Sequence, residues 1–156
     1  MEKIPITRNG FDRLEAQLTH LRRVVRPQVL DELQEARSFG VKIDNQQYLT
    51  ARERHLRVLR KIQDLEEKLA HCEVVVGRKF FRKQVGFGTW AVIQNLDTGE
   101  TSGYQLVGPY ESDVALGKLS VESPVGRGIM GCFEGDEVTV DTPSGTRIYR
   151  VLSIQL

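Results

Sequence analysis

Cysteine is scarce in this chain, and what there is lacks a pattern. The 156 residues hold two, Cys72 and Cys132. They lie far apart and lack CxxC spacing, so neither a disulfide framework nor a zinc site is expected, and both read as buried thiols of a reducing compartment. The three histidines, His20, His55 and His71, form no HxxxH or HExxH pattern. No apolar run approaches the ~20 residues of a membrane span. Met1-Glu2-Lys3-Ile4-Pro5 lacks a secretory signal's apolar stretch, so a cytoplasmic, non-membrane protein is expected.

Charge of one sign is also missing. The formal net charge is +1. Residues 1–75 hold 14 Lys+Arg against 12 Asp+Glu, and residues 76–156 hold 8 against 9. Neither half is a charged tail. The balance argues against a free DNA-binding protein that works by neutralising many phosphates. There is no P-loop and no GxSxG. Gly86-Phe87-Gly88 lacks the helix that follows a dinucleotide fingerprint and reads as a turn before a strand. A solitary enzyme is not expected.

What is present falls into two halves, a division drawn at 1–76 and 77–156. The first half is helical. Thr7 is a plausible N-cap, with Asn9 as an alternative start. Phe11, Leu14, Leu18, Leu21 and Val25 recur at steps of 3 and 4, the heptad seam of a coiled coil. Pro27 removes a backbone donor and is expected to kink the helix. The pattern resumes at Val29, Leu33 and Ala36, one residue out of the earlier register. It ends near Gly40, which suits a helix C-terminus. A second helix starts near Asn45 or Gln46, with a seam expected at Leu49, Arg52 (out of pattern), Leu56, Leu59, Ile62, Leu65, Leu69 and Cys72. No glycine or proline occurs from Val41 to Val76. A connection of about five residues turns the helices back on each other.

The second half changes period. Glu73 to Val76, Thr89 to Ile93, Thr101 to Val107, Asp136 to Asp141 and Thr146 to Ile154 read as strands. Asp97-Thr98-Gly99-Glu100 and Thr142-Pro143-Ser144-Gly145 read as hairpin turns. Ser123-Pro124 opens a short helix, which Gly131 ends. The fold class is α+β: an antiparallel coiled-coil hairpin followed by a small antiparallel sheet with one short helix.

The tip segment, Ala36 to Tyr48, places Val41 and Ile43 where solvent should dominate. Exposed apolar residues at the end of a rod imply either self-packing or a partner's pocket.

This tip, the pair Arg26-Pro27, the opening Ile4-Pro5-Ile6-Thr7-Arg8-Asn9-Gly10-Phe11 and the stretch Ser120-Val121-Glu122-Ser123-Pro124-Val125-Gly126-Arg127-Gly128 resemble the bacterial Gre (GreA/GreB-like) transcript-cleavage factors. The resemblance runs from about Ile4 onward in the same order. It implies a C-terminal domain similar to the FKBP fold that docks at the rim of RNA polymerase's secondary channel. It also implies a hairpin that enters the channel and brings its tip near the active site. Tip carboxylates there help hold a second Mg²⁺, shared with the polymerase, as it hydrolyses backtracked RNA. Nascent RNA and template DNA are indirect partners, and a monomer is expected.

The family tip commonly reads Gly-Asp-x-x-Glu-Asn-x-x-Tyr. This chain reads Gly40-Val41-Lys42-Ile43-Asp44-Asn45-Gln46-Gln47-Tyr48. Gly40, Asn45 and Tyr48 match. Asp44 is the second acid, one methylene short, and the one candidate metal-holding carboxylate. Val41 replaces the first acid and cannot coordinate metal or water, so weak or absent cleavage stimulation is expected. Glu122, Ser123 and Pro124 match the docking stretch, where the family more often has Asp and a downstream Ala in place of Gly126. Ser123 could equally serve as a helix cap. Arg37, Lys42 and Arg52 would face RNA or channel carboxylates, or simply form a solvated face.

Three readings of other kinds stay open beside this one. The chain could be an active cleavage factor relying on Asp44. It could be a coiled-coil homodimer unrelated to transcription. Or it could be a prolyl isomerase suggested by fold analogy alone, a weak warrant for activity.

Overall fold

The computed structural model describes residues 3–39, 45–76 and 83–155. In chain order the elements are β1 (Ile4–Ile6), α1 (Arg8–His20), a π-helical turn (Leu21–Val25), α2 (Arg26–Arg37), α3 (Gln46–His71), β2 (Cys72–Val74), β3 (Trp90–Asn95), β4 (Thr101–Val107), a 3₁₀ turn (Val114–Leu116), β5 (Lys118–Ser120), α4 (Pro124–Ile129), β6 (Glu137–Thr142) and β7 (Gly145–Gln155).

The chain divides into two compact units. One runs from Phe11 to His71; the other joins the residues up to Gly10 with those from Cys72 on. This grouping differs from a division at 1–76 and 77–156. The reason is a parallel strand pair that sequence pattern did not reveal. β1 pairs β2 with Ile4 opposite Cys72 and Ile6 opposite Val74, and the Val75 N–H donates to the Ile6 carbonyl at 3.0 Å. The strand before α1 and the strand after α3 are thus bonded side by side.

Thr7 is the cap of α1. Its hydroxyl accepts from the Gly10 N–H at 3.0 Å, so the alternative start at Asn9 is not used. Pro27, where a kink was expected, directly follows a π turn. The Arg26 N–H reaches back five residues to the Leu21 carbonyl, which is a π turn, and Pro27 falls in the first turn of α2. A π turn contains one extra residue. That insertion accounts for the one-residue slip between Phe11–Val25 and Val29–Ala36. Val29, Leu33 and Ala36 are buried on the resumed face.

α2 and α3 run antiparallel. Arg54 donates to Glu32 at 2.8 Å and Arg22 to Glu66 at 2.5 Å, so partners move in opposite directions along the two runs. These exposed pairs report register more than stability. The seam of α3 needs correction. Its buried residues are Ala51, Val58, Ile62 and Leu65. Leu56 and Leu59 stay 41% and 39% exposed, whereas Ala51 and Val58 are 8% and 7% exposed. The continuous heptad is Tyr48, Ala51, His55, Val58, Ile62, Leu65, Leu69, Cys72. Small side chains at Ala36 and Ala51, packed with Leu33 and Tyr48, let the helices meet closely there, and the leucines one position on fall outside the contact.

In the other unit five strands form one sheet in the order β5-β4-β3-β7-β6. Every pairing is antiparallel except β4 with β5. β5, a strand not expected from sequence, is parallel because the 3₁₀ turn and Gly117, at φ +74°, carry the chain back along the same edge. One face of the sheet buries Ala91, Ile93, Leu106, Leu119, Val151 and Ile154 against Ile129 of α4. The β3–β7 register shifts between Val92 and Ile93, which leaves Leu152 as the extra, exposed residue of a bulge.

Candidate functional site

The two places expected to bear on function fall one in each unit. The first is the end of the hairpin. Gly40, Val41, Lys42, Ile43 and Asp44 lie outside the described residues, so the frame that holds them is what the structure gives. α2 closes at Ser38, whose backbone N–H reaches the Gln34 and Glu35 carbonyls and whose hydroxyl donates to the Glu35 carbonyl at 2.5 Å. Phe39 follows with 70% of its surface exposed.

Asn45 performs two tasks. Its Oδ1 accepts from the Tyr48 N–H at 3.0 Å, which caps the first turn of α3. Its Nδ2 donates to the Ala36 carbonyl at 3.2 Å, a second bond for a carbonyl in the last turn of α2 that also accepts from the Phe39 N–H. One side chain therefore ties the exit of α2 to the entry of α3. The ring of Tyr48 packs on the Leu33, Ala36 and Ala51 layer beneath. Asn45 and Tyr48 are thus the fixed base of the tip.

Arg37 and Arg52 are both exposed. Each follows a buried seam alanine, Ala36 or Ala51, by one position, so both lie on one flank of the two-helix seam. The opposite flank holds the Glu32–Arg54 pair, whose members each precede a seam residue. The fold therefore brings Arg37 and Arg52 to the same side. Among the described residues, no group of three or more His, Cys, Asp or Glu side chains is placed to hold a metal ion.

The second place is the start of α4. The Ser123 hydroxyl accepts from the Gly126 N–H at 3.1 Å and donates to the Ser120 carbonyl at 2.6 Å. Both sides of that hydroxyl are therefore used in capping. Glu122 and Pro124 flank it and are exposed. A Cβ on Gly126 would stand 2.0 Å from the Ser120 carbonyl oxygen. Gly126, where the family more often has a downstream Ala, thus lets the first turn of α4 sit closer to β5 than a side chain allows.

One residue of consequence carried no signal in the sequence. Glu111 reads as an ordinary loop acid. Its carboxylate, however, accepts from the Thr7 N–H at 2.7 Å, the Thr7 hydroxyl at 2.6 Å and the Gly108 N–H at 3.1 Å. The two thiols are removed from reaction chemistry: burial pushes the Cys72 and Cys132 pKa values up, so neither is an activated nucleophile. Among the described residues no helix is long and apolar enough to cross a membrane.

Comparison with known proteins covers both places. Residues 4–74 match the family model described as the N-terminal part of the transcription elongation factors, and residues 81–156 match the GreA/GreB C-terminal model. The chain is 41% identical over 155 residues to the transcription elongation factor GreA of Syntrophobacter fumaroxidans, covering 99% of each chain. It is 40% identical to that of Orientia tsutsugamushi strain Boryong, covering 99% of this chain and 98% of the other. Among solved structures it resembles the GreA factor homolog Gfh1 of Thermus thermophilus at 27% identity and a TM-score of 0.44, over 99% of this chain and all of that one. With both units matched in order and the relatives aligned from end to end, the chain belongs to the GreA/GreB family of transcription elongation factors.

Proposed function

We propose that this protein is a transcription elongation factor that binds RNA polymerase at its secondary channel and places its hairpin tip near the polymerase active site. The observation that carries the reading is the tip frame: Asn45 bridges Ala36 and Tyr48 in a chain matched to the family over both units. Such a bridge ties the last turn of α2 to the first turn of α3 at the end of a helical pair. That is what delivering a few side chains into another molecule's cavity requires.

The protein itself is not the enzyme in this reading; it modulates the polymerase's own RNA cleavage. A Mg²⁺ held by the polymerase would supply water activation and stabilise the leaving oxygen. Asp44 is the residue of this chain with the chemistry to complete its shell. A single short carboxylate is a weak partner for a cation that prefers several oxygens. Val41, at the other acid's position, offers an isopropyl group. The factor therefore occupies the channel with weak or no stimulation of cleavage and competes with relatives that carry both acids. The test is transcript shortening by a halted polymerase with and without the protein. Robust shortening that disappears in Asp44→Asn would reject the inactive reading and leave an active factor dependent on Asp44.

Docking rests on Glu122 and Pro124, the exposed neighbours of a capped Ser123. Glu122→Gln with Pro124→Ala should lower polymerase affinity at least about 10-fold if both contact the rim, the equivalent of about 1.4 kcal/mol. Unchanged affinity would remove these residues from the interface. Arg37 and Arg52, on one flank, are the candidates for RNA or channel contact.

A further inference from the structure

Glu111 takes no part in the tip or in the docking segment, yet it joins parts of the chain 104 residues apart. It lies in the turn after β4. Oε1 accepts from the backbone N–H of Thr7 and of Gly108, and Oε2 accepts from the Thr7 hydroxyl. That hydroxyl in turn accepts from the Gly10 N–H. The carboxylate therefore holds the residue that caps α1 through both its backbone and its side chain. Hydrogen bonds to an ionised group are the stronger kind.

Two glycines allow the close approaches around it, Gly10 to the carboxylate and Gly108 to the backbone of β1. A Cβ on Gly10 would stand 1.9 Å from Glu111 Oε2, and one on Gly108 would stand 1.8 Å from the Pro5 carbonyl oxygen. A glycine in the first turn of a helix lowers helix propensity by about 1 kcal/mol relative to alanine. Here the space it leaves is filled by the carboxylate.

We infer that Glu111 is a positioning residue: within the sheet-bearing unit it fixes Thr7, the cap of α1, and so governs the direction in which the chain leaves β1 for the hairpin. The inference deepens the presentation of the hairpin tip proposed above and rests on that reading for its biological sense. The physical claim, that the carboxylate restrains the root of α1, stands independently of any partner.

The experiment uses the free, full-length protein. Amide hydrogen exchange follows Thr7 and Gly10. Spin labels carried by unnatural amino acids at Arg57 and Ser144 report the distribution of distances between hairpin and sheet unit. In Glu111→Ala the Thr7 and Gly10 amides should exchange about 10- to 100-fold faster, as expected for loss of a charge-assisted bond, and the distance distribution should broaden. Gly10→Ala, which expels the carboxylate, should give the same result, and adding it to Glu111→Ala should broaden nothing further. Thr7→Ser, which keeps the hydroxyl, should retain the distribution of the unaltered protein, while Thr7→Ala should broaden it in part.

Faster exchange with an unaltered distance distribution would overturn the positioning role and leave a local cap. Unaltered exchange would overturn the latch itself. Should Glu111→Ala fail to fold, Glu111→Gln and Thr7→Ala carry the same comparison. Because no polymerase enters these measurements, their failure is distinguishable from failure of the polymerase reading, which affinity measurements on the unaltered protein test alone.

Discussion

Val58 and Leu59 are adjacent, and the structure ranks them against chemical intuition. A leucine at heptad spacing is normally the core residue and its valine neighbour the lesser one. Here Val58 is 7% exposed and Leu59 is 39% exposed. Replacing each by glutamine separates the two orders. At position 59 the aliphatic stem of glutamine covers much of what leucine covered, and its amide reaches water. With roughly 25 cal/mol per Å² of lost apolar burial, the cost should be about 1 kcal/mol. At position 58 the change removes about 1.5 kcal/mol of valine burial. It also buries an amide in the seam, where Val58 is 7% exposed, adding about 2 kcal/mol. Val58→Gln should therefore cost about 3–4 kcal/mol.

The assay is urea unfolding followed by far-ultraviolet circular dichroism. It should be paired with hydrogen exchange of peptides from α2 and α3, because two compact units need not unfold as one. The two variants should differ by about 2 kcal/mol or more in the free energy of opening the hairpin. If Leu59→Gln proves the more damaging, the seam through Ala51, His55 and Val58 is wrong and the leucine seam is right.

Asn45→Ala removes the cap of α3 and the bond to Ala36 together, and should destabilise the hairpin end by about 1–2 kcal/mol; faster exchange of the Tyr48 and Leu49 amides, with α4 unaffected, is the readout. Gly108→Ala would drive a methyl into the Pro5 carbonyl, a backbone atom that cannot swing away, so β1 should detach from β2 at a cost above about 3 kcal/mol, seen as loss of protection at Val75. The thiols should alkylate slowly in the folded state, since burial raises both pKa values. The sign for stability follows: the native thiols keep their protons to higher pH than unfolded ones. Their contribution is therefore full below the unfolded thiol pKa and is lost as pH rises through the folded value, which iodoacetamide trapping and unfolding curves across that range would show.

The helical half was legible because periodicity is a local property. Val29, Leu33, Ala36, Ile62 and Leu65 could be placed on a face without knowing what covered it, and the one-residue slip around Pro27 was visible as a defect. Its cause was not, since a π turn and a kinked α-helix leave the same trace in the sequence. The α3 seam from 49 to 59 was misplaced for a related reason. Side-chain size points to Leu56 and Leu59, whereas the buried positions are Ala51, packed with Ala36, and Val58. β1 and β5 were missed because three-residue strands have no period to read. Each exists only through a parallel partner, Cys72–Val74 or Gln105–Val107, distant in the chain.

The candidate site shows the same division between local and non-local information. Ser123 as a cap was legible, since capping is settled within three residues. Asn45 was legible as a helix start, but its second bond to Ala36 depends on the return of the chain. Glu111 was invisible. A carboxylate acquires meaning from the donors it meets, and Thr7 lies 104 positions away. Gly10, which admits the carboxylate, and Gly108, which admits the Pro5 carbonyl, look like weak points in a helix and a strand end. In the fold they are the reverse, because the space each leaves is filled by an oxygen. A glycine that opposes its local structure, as Gly10 does in the first turn of a helix, is therefore a pointer to a close approach by something far off in the chain. The residue to seek opposite it is one with an acceptor to bring.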